Sequence, residues 1–201
     1  MMEQFSNGEY KLVEDVIVKE KDKKSLIIKL NVYALIIVGI GVVLTLVLFS
    51  IIGITKFTFN PLGTGLFLVS FLVFIVVHEL LHGLSFILFN RSKLSDVKFG
   101  IVLKSGMAYC ISTVPVKVDA ARLSLMMPVY VVCIPLYIVG VVIGNMYLCL
   151  LAILFFSGSA GDLYYMWKLR NTNKNHYMFE KMPTKSGYEV GYLLYEKLES
   201  N

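Results

Sequence analysis

Three stretches of this chain are almost free of charge, and each is long enough to cross a bilayer. Val32 to Ile54 contains no charged residue. Pro61 to Phe89 is apolar except for His78, Glu79 and His82, and Leu123 to Trp167 carries a single charge, Asp162. A helix needs about 20 apolar residues to span the hydrocarbon core, so the first two stretches predict one span each. The third is too long for one span. Gly144-Asn145 is a turn-favouring pair, and a split there gives two helices of ordinary length. The expected fold is all-α and integral to the membrane, with four transmembrane helices at about 32–54, 61–89, 123–143 and 146–168.

Composition agrees. The 201 residues are 57% hydrophobic and 16% charged, against about 45–50% and about 25% in soluble domains. A disordered chain cannot be this apolar, and too little charge remains to clothe a water-soluble globule. The net charge of +5 does not point to nucleic acid. Its basic residues lie outside the apolar stretches, which is how membrane proteins place them. Cys110, Cys133 and Cys149 have no metal-binding spacing, and they read as small packed hydrophobes rather than a disulfide framework.

The chain divides into a charged N-terminal segment (1–30), a membrane domain (31–169) and a polar tail (170–201). The first thirty residues are too polar for a cleavable signal peptide. Six basic residues fall in the N-terminal segment, six in 90–122 and six from Lys168 onward, leaving only Lys56 in the opposite loops. The positive-inside rule therefore puts both termini and the 90–122 segment in the cytoplasm. KLVEDVIVKE alternates weakly and predicts a short strand. Val97, Phe99, Ile101 and Leu103 alternate up to Ser105-Gly106, which predicts a small cytoplasmic-side β-hairpin over about 97–112. The tail suggests a short amphipathic helix near Tyr188–Leu198.

The second span contains His78-Glu79-Leu80-Leu81-His82, an HExxH motif. On a helix, positions i and i+4 lie about 40° apart around the axis and one turn along it. Two imidazoles so placed can bind one metal ion at about 2.0–2.1 Å. Glu79 sits about 100° further round, able to take a proton from a water on the metal rather than bind the metal itself. That is the arrangement of zinc-dependent hydrolysis. A charged residue at the centre of a membrane helix costs about 2.5–3.5 kcal/mol, so its presence marks function by default.

A catalytic zinc needs a third protein ligand and an open position. Asp162 is the remaining carboxylate within the spans, while Asp96, Asp119 and His176 are alternatives in the flanking segments. Depth favours Asp162. His78 lies seventeen residues after Pro61, and Asp162 seventeen after Asn145. Both therefore descend about 25 Å from the outer ends of their helices at about 1.5 Å per residue. Ser157-Gly-Ser-Ala-Gly161 and Gly83 are small, as close helix approach in a membrane requires. A di-iron carboxylate bundle would need a second ExxH and two further Glu, which the sequence lacks.

Over roughly residues 61–170, with His78-Glu79-x-x-His82, the hairpin and Gly161-Asp162, the chain resembles site-2-protease-type intramembrane zinc metalloproteases. It is similar in particular to a family of small bacterial membrane proteins grouped as zincin peptidases. The resemblance implies zinc (Zn2+) held by His78, His82 and Asp162, with Glu79 catalytic. It also implies a membrane-protein or peptide substrate held as an added strand at the 97–112 hairpin, and residence in a bacterial plasma membrane. The expected activity is intramembrane peptide hydrolysis. A non-catalytic zinc-binding scaffold or chaperone is the alternative, and a metal transporter or sensor a more distant one.

Overall fold

The computed structural model describes residues 10–18, 20–55, 57, 59–102, 107–180 and 191–198. Its elements in chain order are β1 (Tyr10–Asp15), α1 (Glu20–Ile51), α2 (Pro61–Phe89), a 3-10 turn (Leu94–Asp96), β2 (Val97–Val102), β3 (Met107–Ser112) and β4 (Val116–Lys117). α3 (Val118–Pro128), a π-helical turn (Val129–Cys133), α4 (Ile134–Val142), α5 (Met146–Gly158), α6 (Ala160–Leu169), β5 (Tyr177–Glu180) and β6 (Tyr192–Lys197) follow.

Asn60 starts α2 because its side chain accepts from the Gly63 amide at 2.7 Å, with Pro61 in the first turn, where it sacrifices no hydrogen bond. Asn145 starts α5 in the same way, accepting from the Leu148 amide at 3.2 Å. Tyr147 ties the two starts together. Its hydroxyl accepts from the Asn60 amide at 3.0 Å and donates to the Asn60 carbonyl at 3.1 Å. α2 and α5 thus set out side by side from a common level.

Three helices are long and apolar enough to cross a membrane: Asp22–Ile51 within α1, α2, and the continuous Val118–Val142. α5 and α6 meet that test as a pair bent by 47°. The outer faces of α1, α2 and α4 leave Leu35, Leu62, Leu72 and Val142 exposed. Faces this apolar on helices of such length are compatible with a membrane protein. Between the helices, Phe155 of α5 packs on Phe71 and Phe74 of α2, with Cys133 and Leu151 behind it.

The fold is mostly helical, 65% of the described residues, and beside the expected hairpin it carries a second antiparallel sheet. β2 and β3 pair from Val97↔Ser112 to Val102↔Met107, over the residues expected to form the hairpin; the turn at Ser105-Gly106 lies outside the described residues. The second sheet, in the order β1-β6-β5-β4, was unexpected. It joins the N-terminal strand to the tail, and Tyr192–Lys197 is a strand rather than the expected amphipathic helix. Residues 188–190 lie outside the described residues.

Two further differences concern span lengths. The first helix begins twelve residues earlier than Val32, at Glu20, where Lys-rich sequence continues the helix beyond the apolar run. The third begins at Val118 rather than Leu123. A core of Phe86, Val97, Cys110, Val116, Val118, Leu125, Leu169, Met178 and Leu194 fastens both sheets to the ends of α2, α3 and α6. Leu169 is fully buried there, which stabilises by about 1.5–3 kcal/mol relative to exposure.

Candidate metal centre

His78 and His82 stand one turn apart on α2, with ring centroids 4.8 Å apart and planes at 77°. α6 brings Asp162 to face them both. Nε2 of His78 lies 3.2 Å from Asp162 Oδ2, and Nε2 of His82 lies 3.6 Å from Asp162 Oδ1. One ligand atom from each of the three falls within 4.8 Å of the others. Two ligands about 2.0–2.1 Å from a tetrahedral ion stand roughly 3.3 Å apart. Each histidine meets one Asp162 oxygen at about that edge length, Oδ2 for His78 and Oδ1 for His82, while the three single ligand atoms are held within the wider 4.8 Å. The donor set, two imidazoles and one carboxylate, is also one that catalytic zinc uses.

The level common to the three residues follows from the tied helix starts, and the bend brings Asp162 round. Ser157 and Ser159 hydroxyls donate back to the Leu154 and Phe155 carbonyls at 2.8 and 3.3 Å. Back-bonding of this kind bends helices. After the break Asp162 lies in the first turn of α6, where the helix dipole favours a carboxylate.

Ser157, Ser159 and Ala160 are buried, but the glycines serve otherwise than expected. Gly158 and Gly161 border open space, so they do not bring helices together. A Cβ at Gly83 would stand 2.5 Å from Phe99 Cζ and 3.2 Å from Val97 Cγ1. Gly83 therefore admits β2, not another helix, against the motif. Close helix approaches occur at Gly41, Gly63 and Gly140, and at Gly140 of α4 a Cβ would stand 2.9 Å from the Cys149 backbone nitrogen.

Access to the cluster is graded. Side-chain exposures of 13% for His78, 9% for His82 and 19% for Asp162 leave a narrow opening rather than a sealed core. Phe155 lies 6.4 Å from the His78 ring, and with Phe71 and Phe74 makes that side apolar. Glu79 is half-buried, and its carboxylate has no hydrogen-bond partner among the described residues. A carboxylate left unbonded beside two histidines is available to a substrate or a water.

The remaining candidates point elsewhere. Asp96 accepts from the Lys93 amide at 2.9 Å, and Asp119 from the Ala120 amide at 2.8 Å. His176 is held at the entry to β5, where its carbonyl accepts from the Val118 amide. None belongs to the cluster. Asn60 and Asn145 are occupied as helix caps, while Asn90 ends α2 by donating to Ser92 Oγ and the Pro115 carbonyl and accepting from the Lys117 amide.

Three surrounding groups have no motif. The Ser124 carbonyl of α3 accepts from His82 Nδ1 at 2.9 Å. Arg122 donates from Nε to the Leu169 carbonyl at 3.2 Å and from Nη2 to the Thr172 carbonyl at 2.6 Å, closing the end of α6. Glu180, at the end of β5, lies within electrostatic reach of the cluster. Burial pushes its carboxyl up to about 7, with His82 opposing and Asp162 and Glu79 reinforcing. Nearby, burial pushes the Cys110 thiol up to about 12, and Glu79 and Glu180 add to it. All three cysteines are free and buried.

No curated protein and no solved structure matches the chain. Residues 70–177, more than half of the chain, match the family model described as "Putative zincin peptidase". That stretch runs from the helix turns before His78, through the hairpin and Asp162, to the first residue of β5. Zinc is the metal such a family implies. The chain belongs to this zincin-peptidase family.

Proposed function

We propose that the chain is an intramembrane zinc metallopeptidase, with His78, His82 and Asp162 as metal ligands and Glu79 as the catalytic base. The observation that carries this reading is the convergence of His78, His82 and Asp162 ligand atoms within 4.8 Å, with an unbonded Glu79 beside the two histidines. A zinc ion held there supplies Lewis acidity, polarising a peptide carbonyl and making water acidic enough to lose a proton near neutral pH.

The chain's own residues do the rest. Glu79 takes the proton of the attacking water on its carboxylate and delivers it to the departing amine nitrogen. His82 keeps its orientation through Ser124, and Phe155, Phe71 and Phe74 exclude water from one side of the site. A helical peptide bond is shielded by its own hydrogen bonds, so the substrate must be extended before attack. β2 supports that role. Among the described residues it pairs only with β3, and its Val97 and Phe99 lie against Gly83, one residue beyond His82. A membrane-protein or membrane-proximal segment would add to its open edge.

β1 and β6 pair segments near the two termini, Tyr10–Asp15 and Tyr192–Lys197, in one sheet. With the Lys-rich flanks, this supports both termini on the cytoplasmic side, and the family resemblance makes a bacterial plasma membrane the proposed location. The test is cleavage of a quenched-fluorescent library of apolar peptides by the full chain in detergent. Glu79→Gln should lower turnover about 10²–10⁴-fold while zinc stays bound. Equal cleavage by Glu79→Gln would contradict the reading. A wild type that holds zinc and cleaves nothing would favour a scaffold.

A further inference from the structure

In an α-helix the carbonyl of residue i accepts from the amide four residues on. For Ser124 of α3 that residue is Pro128, which has no amide hydrogen. A proline inside a helix also crowds the carbonyl four residues before it and turns it away from the axis. Ser124 is 2% exposed and Pro128 is fully buried, so this carbonyl is shielded from bulk water. The donor this carbonyl meets instead is Nδ1 of His82, at 2.9 Å.

A carbonyl oxygen only accepts, so the Nδ1 facing it carries the hydrogen. That leaves Nε2, the atom turned toward Asp162, as the ring nitrogen free to bind a metal. His78 has no equivalent. Its Nε2 faces Asp162, and its Nδ1 has no hydrogen-bond partner among the described residues. The burden of fixing a ligand's tautomer and ring plane therefore falls on one histidine and one carbonyl. Such outer partners typically change metal affinity about 10–100-fold when lost.

We propose that Pro128 is a positioning residue of the metal centre: by withholding an amide it frees the Ser124 carbonyl to orient His82. The inference rests on the metal-site reading above for its effect on affinity, but not for its effect on the His82 ring. A proline serving only to bend the span is the competing account, since the π-helical turn Val129–Cys133 begins at the next residue. The two accounts differ in what restores the site. Lactic acid incorporated at position 128 has the methyl of alanine and no amide hydrogen, so it separates the missing donor from the ring.

Zinc affinity is read by competition with a chromophoric chelator on the full chain in detergent. The His82 ring is read by nitrogen NMR of the metal-free protein. Pro128→Ala should weaken zinc binding about 10–100-fold and speed exchange of the His82 Nδ1 hydrogen, without lowering the unfolding temperature. Lactic acid at 128 should restore both readouts. Zinc binding within twofold of wild type in Pro128→Ala, with an unchanged His82 signal, would overturn the proposal. A lactic-acid variant as impaired as the alanine one would overturn it too, assigning the effect to ring shape. If the wild type takes up no zinc, the metal reading fails, and the NMR comparison still decides this one.

Discussion

His82 and Ser124 are bonded in both directions: the His82 ring donates to the Ser124 carbonyl at 2.9 Å, and the Ser124 hydroxyl donates to the His82 carbonyl at 3.3 Å. Only the first bond uses the imidazole. Ser124→Ala removes the second alone, and should cost about 0.5–1.5 kcal/mol of stability with zinc affinity kept within a few-fold. Thermal unfolding and chelator competition on the same preparation check both halves. A large loss of affinity would mean that the hydroxyl, not the carbonyl, holds the ligand.

Gly140 of α4 lies against the backbone of α5. An added Cβ would press on the Cys149 backbone nitrogen, which cannot swing aside as a side chain can. Gly140→Ala should destabilise by about 1–3 kcal/mol. Gly39→Ala on α1 is its control, because nothing lies within 4 Å of that position. It should be neutral or slightly stabilising, and comparison of unfolding temperatures in detergent decides the point.

Glu180 gives the metal-free protein a specific pH dependence. Its carboxyl rises from the ordinary 4.5 to about 7 in the fold. Between those values the folded chain keeps a proton that the unfolded chain has released. Stability therefore falls as pH rises from about 4.5 to about 7, and is level above. The difference between wild type and Glu180→Gln isolates this group. The variant should gain on wild type through that window, and a flat difference would remove Glu180 from the electrostatics of the site.

The residues of the cluster were more legible in sequence than the framework that groups them. His78, Glu79 and His82 stand out because charge is rare in apolar runs, and the match in depth with Asp162 follows from counting from Pro61, beside the Asn60 cap, and from the Asn145 cap. That count works because Tyr147 ties those caps together, a contact no pattern announces. The terminal sheet escaped for a different reason. Tyr192, Leu193 and Leu194 are buried in succession, and a continuous apolar run does not distinguish strand from helix. Its partner β1 lies at the other end of the chain. The polar tail thus delivers Glu180 to the neighbourhood of the cluster. The Ser124 carbonyl was readable in principle, as the residue four before a helical proline, but only the structure shows which donor replaces the missing amide.

Metal content of the purified full chain is the most direct test of the site. After equilibration with zinc and removal of the free ion, wild type and Glu79→Gln should each retain about one zinc per chain, as a three-ligand site requires. His78→Ala and Asp162→Ala should retain almost none while remaining folded. Zinc absent from the wild type, or kept equally by His78→Ala, would contradict the site.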